Sequence, residues 1–148
     1  MKIDLKRGLW RAVRGTAAIE FAVLAPALLT VAYGVYEFGR MAWTLEALQE
    51  SATQGARCAG IKQTSCETGG AFSSSATATY IQGVATGWGL TIPSADITAT
   101  GSTTCAGVSG FAQVQISYVF NTTVANLLPS LANGATLTVK SCYPVNSS

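Results

Sequence analysis

The chain has 148 residues, 49% hydrophobic and only 11% charged, with a mean hydropathy of +0.34. Soluble domains carry about 25% charged residues, so this balance leans toward a membrane protein. Histidine is absent, which removes the commonest general base and the commonest zinc ligand.

The net charge of +2 is unevenly placed. Residues 1–15 hold Lys2, Lys6, Arg7, Arg11 and Arg14 against Asp4 alone. Beyond them Arg40, Arg57, Lys62 and Lys140 are outnumbered by Glu20, Glu37, Glu46, Glu50, Glu67 and Asp96. A basic tail before an apolar span, with no similar cluster after it, follows the positive-inside pattern. It predicts residues 1–15 as a cytoplasmic leader and the chain after residue 36 on the outer side. A nucleic-acid-binding arm would call for a basic body as well, so no nucleic-acid partner is expected.

Residues 16–36 read TAAIEFAVLAPALLTVAYGVY. About 20 apolar residues suffice to cross a hydrocarbon core of roughly 30 Å as a helix. A cleavable secretory signal would share the basic tail, with a cut after Ala32 as its best site; Pro26 disfavours one after Ala25. The stretch therefore reads as an anchor in contact with membrane lipid. Glu20 sits one turn inside it. An acid near the centre of a membrane helix costs about 2.5–3.5 kcal/mol, less near an end, and is a functional residue by default. Pro26 removes one helical hydrogen bond and predicts a kink, and Gly34 permits close helix packing.

The helical pattern continues over residues 37–57, an amphipathic continuation. Phe38, Met41, Ala42, Leu45, Leu48, Ala52 and Ala56 recur at three- and four-residue spacing and are the expected buried face. One helix over about 16–57 would be roughly 60 Å long.

Residues 58–148 form the expected outer body, small enough to benefit from covalent support. Residues 58–70 (CAGIKQTSCETGG) read as a loop and 72–88 as a short amphipathic helix. Strands are expected over 95–104, 110–121 and 135–143, the second with Val114, Ile116, Tyr118 and Phe120 on one face, the third with Leu137 and Val139 inward. Residues 124–131 read as a short helix or turn around Pro129. The fold class is α+β, a long helix packed on a small antiparallel sheet.

Cys58, Cys66, Cys105 and Cys142 all fall in the outer part, where oxidation is possible. Four cysteines allow two disulfides in three pairings. Cys58–Cys66 would close a small loop, and Cys105–Cys142 would tie two strand ends. No metal site is expected, with neither a CxxC motif nor a histidine. No phosphate loop or nucleophile constellation is present, so neither an enzyme activity, a cofactor nor a small-molecule substrate is expected. The sequons at Asn121 and Asn146 arise readily by chance in a Ser/Thr-rich chain.

The run RGTAAIEFAVLAPALLTVAYGVYEFGRMAWTLEALQESATQGAR resembles the N-terminal signature of the TadE-like proteins of Tad (tight adherence, Flp-type) pilus systems. The resemblance rests on Arg14-Gly15, Ala17-Ala18, Glu20-Phe21, Pro26, Leu28-Leu29, Gly34 and Glu37-Phe38-Gly39-Arg40, in that order and spacing, and covers residues 14–57. It implies a minor pilin or pseudopilin with a pilin-like fold, held in a bacterial inner membrane with its body in the periplasm or on a filament. It implies a prepilin-peptidase site between Gly15 and Thr16, with Glu20 as fifth mature residue and Phe21 as sixth. The cut would free a Thr16 ammonium for which Glu20 of a neighbouring subunit is a counter-ion in the membrane. Implied partners are the prepilin peptidase, other pilins or pseudopilins and the assembly platform. Type IV pilins have Phe as first mature residue where this chain has Thr16, and major Flp pilins are much shorter; both departures point to a minor component. The competing reading is a membrane-tethered adhesin or binding module that never enters a pilus.

Overall fold

The structure is a computed structural model; it describes residues 5–122 and 134–146, with side chains from Ala17 onward. The expected turn at 124–131 lies outside the described residues. The chain divides into two units, Met1–Gly39 and Arg40–Ser148.

Helix α1 runs from Leu5 to Gly60, beyond the expected 16–57 at both ends. At its start, residues 5–14 are mostly Leu, Lys, Arg and Ala, strong helix formers, which carry the helix back into the expected leader. At its end, Gln63 N donates to Cys58 O at 3.0 Å and Lys62 N to Ala59 O at 3.4 Å, with Lys62 at φ 53°. This is the paired 6→1 and 5→2 closure that satisfies terminal carbonyls, with lysine where glycine is usual. The helix thus takes in the first three residues of the expected loop. Pro26 lies inside α1 without ending it, and Thr30 Oγ1 donates to the Pro26 carbonyl at 2.8 Å.

Over residues 21–36 of the first unit the helix is apolar around its circumference. Ile19, Phe21, Val23, Leu24, Leu28, Leu29, Val31 and Val35 are all at least 65% exposed. Such a helix needs an apolar surrounding. By length and composition α1 can cross a membrane: its most apolar 18-residue window has mean hydropathy 1.8 and none of it is buried.

In the second unit the remainder of α1 packs with α2 (Ser74–Gly87) and a three-stranded antiparallel sheet. A two-residue-strand hairpin, β1 (Glu67–Thr68) and β2 (Ala71–Phe72), precedes α2. It turns through Gly69 and Gly70, both at positive φ, as the tight primed turn requires. Ser73 caps α2, its Oγ accepting from Ala76 N at 3.3 Å. In the sheet, β3 (Ile97–Cys105), β4 (Val108–Phe120) and β5 (Ala135–Pro144) place Ile97, Ile116 and Val139 in one row across the strands. One sheet face presents Ile97, Val114, Ile116, Leu137 and Val139 to the core. From the helices come Leu48, Ala52, Ala56, Ala78, Ile81 and Ala85. The α+β layout expected from periodicity is the one observed.

The buried face of α1 differs from the expected one. Leu48, Ala52 and Ala56 are buried, but Phe38 is 74% exposed, Leu45 41%, and Ala42 is exposed as well. The face is completed by Thr44, Ala47, Ser51 and Gly55. Small residues win because α2 and β4 lie close: a Cβ on Gly55 would fall 2.5 Å from Ile81 Cγ1 and 3.5 Å from Val114 Cγ2. The buried hydroxyls are satisfied along the helix, Thr44 Oγ1 donating to Arg40 O at 2.9 Å and Ser51 Oγ to Ala47 O at 2.7 Å.

Two disulfides fasten this unit. Cys58–Cys66 links the last turn of α1 to the residue before β1. Cys105–Cys142 joins β3 to β5, the two strands that flank β4.

Candidate membrane-embedded assembly site

The residues singled out near the N-terminus all lie on α1. Gly15 and Thr16 fall within its backbone, with no break between them. Glu20 is exposed, and Phe21 is 72% exposed. Phe21, Leu24, Ala25, Ala27, Leu28 and Val31 line a shallow apolar groove beside Pro26. The chemistry of this surface is simple: a carboxylate at the foot of a helix whose surroundings must be apolar. A carboxylate there is costly unless a cation meets it.

The second group centres on Glu37, nearly five turns beyond Glu20 on α1. Glu37 is 8% exposed, the only buried charged side chain among the described residues. Tyr33 Oη donates to Glu37 Oε1 at 3.3 Å, and the Tyr33 and Tyr36 rings lie 6.1 Å apart. No buried side-chain nitrogen or oxygen among the described residues lacks a hydrogen-bond partner. Gly39 is exposed, with nothing within 4 Å of an added Cβ. The Arg40 guanidinium stands over the Phe120 ring at 5.4 Å, a cation–π contact joining α1 to the end of β4. Glu37 and Arg40 are therefore built into protein, whereas Glu20 and Phe21 face outward.

The four cysteines all lie in disulfides of the second unit. Among the described residues no group of three His, Cys, Asp or Glu side chains could hold a metal ion. Periodicity did not single out Gly55 or the pairing of Trp43 with Trp88, whose rings meet edge to face at 5.3 Å. Their only sequence signal is residue type, a glycine in an alanine-rich helix and a tryptophan on each of two helices.

A family model described as TadE-like protein matches residues 15–57. The match ends at Arg57, one residue before the first cysteine, and takes in both Glu20 and Glu37. No curated protein and no solved structure matches the chain. Over residues 15–57, under a third of its length, the chain is therefore similar to TadE-like proteins.

Proposed function

We propose that the chain is a minor pilin or pseudopilin of a Tad pilus, a structural component rather than an enzyme. The observation that carries this is the exposed apolar surface of α1 with Glu20 at its foot, within the segment that matches the family. Residues 16–36 span the inner membrane, residues 1–15 are a cytoplasmic leader, and the disulfide-bonded body, residues 58–148, faces the periplasm. A prepilin peptidase cuts between Gly15 and Thr16. Glu20 then pairs with the new Thr16 ammonium of a neighbouring pilin, which compensates both charges inside an apolar helix bundle. Phe21 and Pro26 shape the same contact surface, and the assembly platform receives the processed subunit.

Two measurements test the proposal. Mass spectrometry of membranes from a strain with an active prepilin peptidase is expected to find a chain beginning at Thr16; only intact Met1 would defeat the processing step. Glu20→Ala is expected to abolish or strongly reduce piliation while the protein still accumulates. Normal pili in that variant would remove the pairing mechanism.

A further inference from the structure

The two disulfides of the second unit differ in what can reach them. Cys58 and Cys66 are buried, 1% and 0% exposed. Cys142 is exposed, and Cys105 is half-buried. The strand period gives the reason. Along β5, Leu137 and Val139 belong to the core, so Thr138, Lys140 and Cys142 fall on the opposite face, and all three are exposed. Gln115 and Gln113 of β4 stand opposite Lys140 and Cys142. Strands β3, β4 and β5 hold no acidic residue, and Lys140 is their single charge.

A disulfide opens when a thiolate attacks one of its sulfurs, and the rate depends on access to that sulfur. Cys142 offers access; Cys58 and Cys66 do not until the end of α1 opens. The attacking group is an anion. Lys140 lies two residues from Cys142 on the same face, about 7 Å along the strand, and attracts it. The departing sulfur also has a neighbour suited to it. Gln113 Oε1 stands 3.8 Å from Cys105 Sγ, and with the amide turned over its N–H donates to a thiolate formed there.

We propose that Cys105–Cys142 is a thiol-exchange site whose substrate is a dithiol, and that Cys142 is the sulfur attacked. The first thiolate forms a new S–S bond to Cys142 Sγ. The bond to Cys105 breaks, and its electron pair leaves on Cys105 Sγ, which takes a proton from water. The second thiolate of the dithiol then attacks its own partner sulfur in the mixed disulfide and releases Cys142. The dithiol is oxidised to a disulfide, and Cys105 and Cys142 are reduced by two electrons. The end of β5 is afterwards held by hydrogen bonds alone, among them Val145 N to Gly110 O at 2.8 Å and Asn146 N to Gly60 O at 3.0 Å. Every residue involved lies in the second unit, so nothing here depends on the membrane reading of α1. Cys105–Cys142 closes the longer loop and contributes more to stability, yet it opens faster, because rate follows access.

The test uses the folded full chain in detergent, exposed to dithiothreitol, quenched with N-ethylmaleimide at successive times and mapped by mass spectrometry. Cys105 and Cys142 are expected to become alkylated at least about tenfold faster than Cys58 and Cys66. Equal rates, earlier opening of Cys58–Cys66, or no opening of either bridge before the chain unfolds overturns the assignment. In urea the difference is expected to collapse. A difference that persists there comes from local sequence rather than burial, and overturns it too. Glutathione, a monothiol, is expected at early times on Cys142 with Cys105 alkylated; glutathione on Cys105 instead means that the wrong sulfur was assigned. Lys140→Glu should slow attack by glutathione roughly fivefold at low salt. An unchanged rate removes Lys140 from the site.

Discussion

Gly55 of α1 lies directly against Ile81 of α2, so closely that a Cβ on Gly55 would stand 2.5 Å from Ile81 Cγ1 and 2.6 Å from Cδ1. Ile81 is fully buried, in contact with the rest of the core, so its side chain has no free direction in which to withdraw.

Gly55→Ala should therefore destabilise the second unit by about 1–3 kcal/mol, the usual cost of overpacking. This outweighs the gain of about 1 kcal/mol that alanine brings over glycine in a helix. Gly83 is the control: it is exposed in α2 with nothing within 4 Å of an added Cβ. Gly83→Ala should stabilise by about 0.5–1 kcal/mol. Urea unfolding of the full chain in detergent, followed by fluorescence, reads both. Equal effects of one sign would show that the Gly55–Ile81 approach has no energetic consequence.

The two helices end in the same hydrogen-bonded motif with different residues at its left-handed position. In α2 it is Gly89 at φ 76°, with Leu90 N donating to Ala85 O at 2.9 Å. In α1 it is Lys62 at φ 53°. A non-glycine residue there carries a penalty of about 1–2 kcal/mol. Lys62→Gly should raise stability by roughly 1 kcal/mol, and Gly89→Lys should lower it by a similar amount. Thermal unfolding of the two variants beside the parent checks the pair of opposite signs.

Cys105 and Cys142 are separated by 37 residues, Cys58 and Cys66 by 8. On loop-closure entropy the longer crosslink should stabilise by about 4 kcal/mol and the shorter by about 2.5 kcal/mol. Replacing Cys105 and Cys142 with serine should cost more than replacing Cys58 and Cys66. Denaturant midpoints of the two double variants decide this, and the reverse order would mean that local anchoring of the end of α1 outweighs loop length.

How much of this was legible in the sequence depended on which physical signal each element carried. Strand β4 was readable because Val114, Ile116, Tyr118 and Phe120 alternate cleanly, and α2 because its apolar residues recur at helical spacing. The buried face of α1 was misread because hydropathy cannot tell a large side chain facing outward from a small one facing inward. Phe38 and Leu45 took the weight that belongs to Thr44, Ser51 and Gly55. Periodicity also could not show that Glu37 is buried, since a glutamate counts as polar whatever covers it. The residues of the candidate site are proposed from their order and spacing, and Trp43 with Trp88 went unpaired because 45 positions separate them in the chain.

The small-residue face of α1 has a consequence for how the two parts of this helix can vary. Around Phe21–Val35 any apolar side chain of moderate size meets the same requirement, so substitutions there should be widely interchangeable. Between Thr44 and Gly60 the available space, rather than polarity, sets the limit: Gly60 has Tyr143 Cδ1 at 2.7 Å from an added Cβ, as Gly55 has Ile81. A saturation library of α1 should thus separate into a segment selected for hydropathy alone and a segment selected for volume. The transition between the two regimes would locate, from survival counts alone, where the helix leaves one surrounding and enters the other.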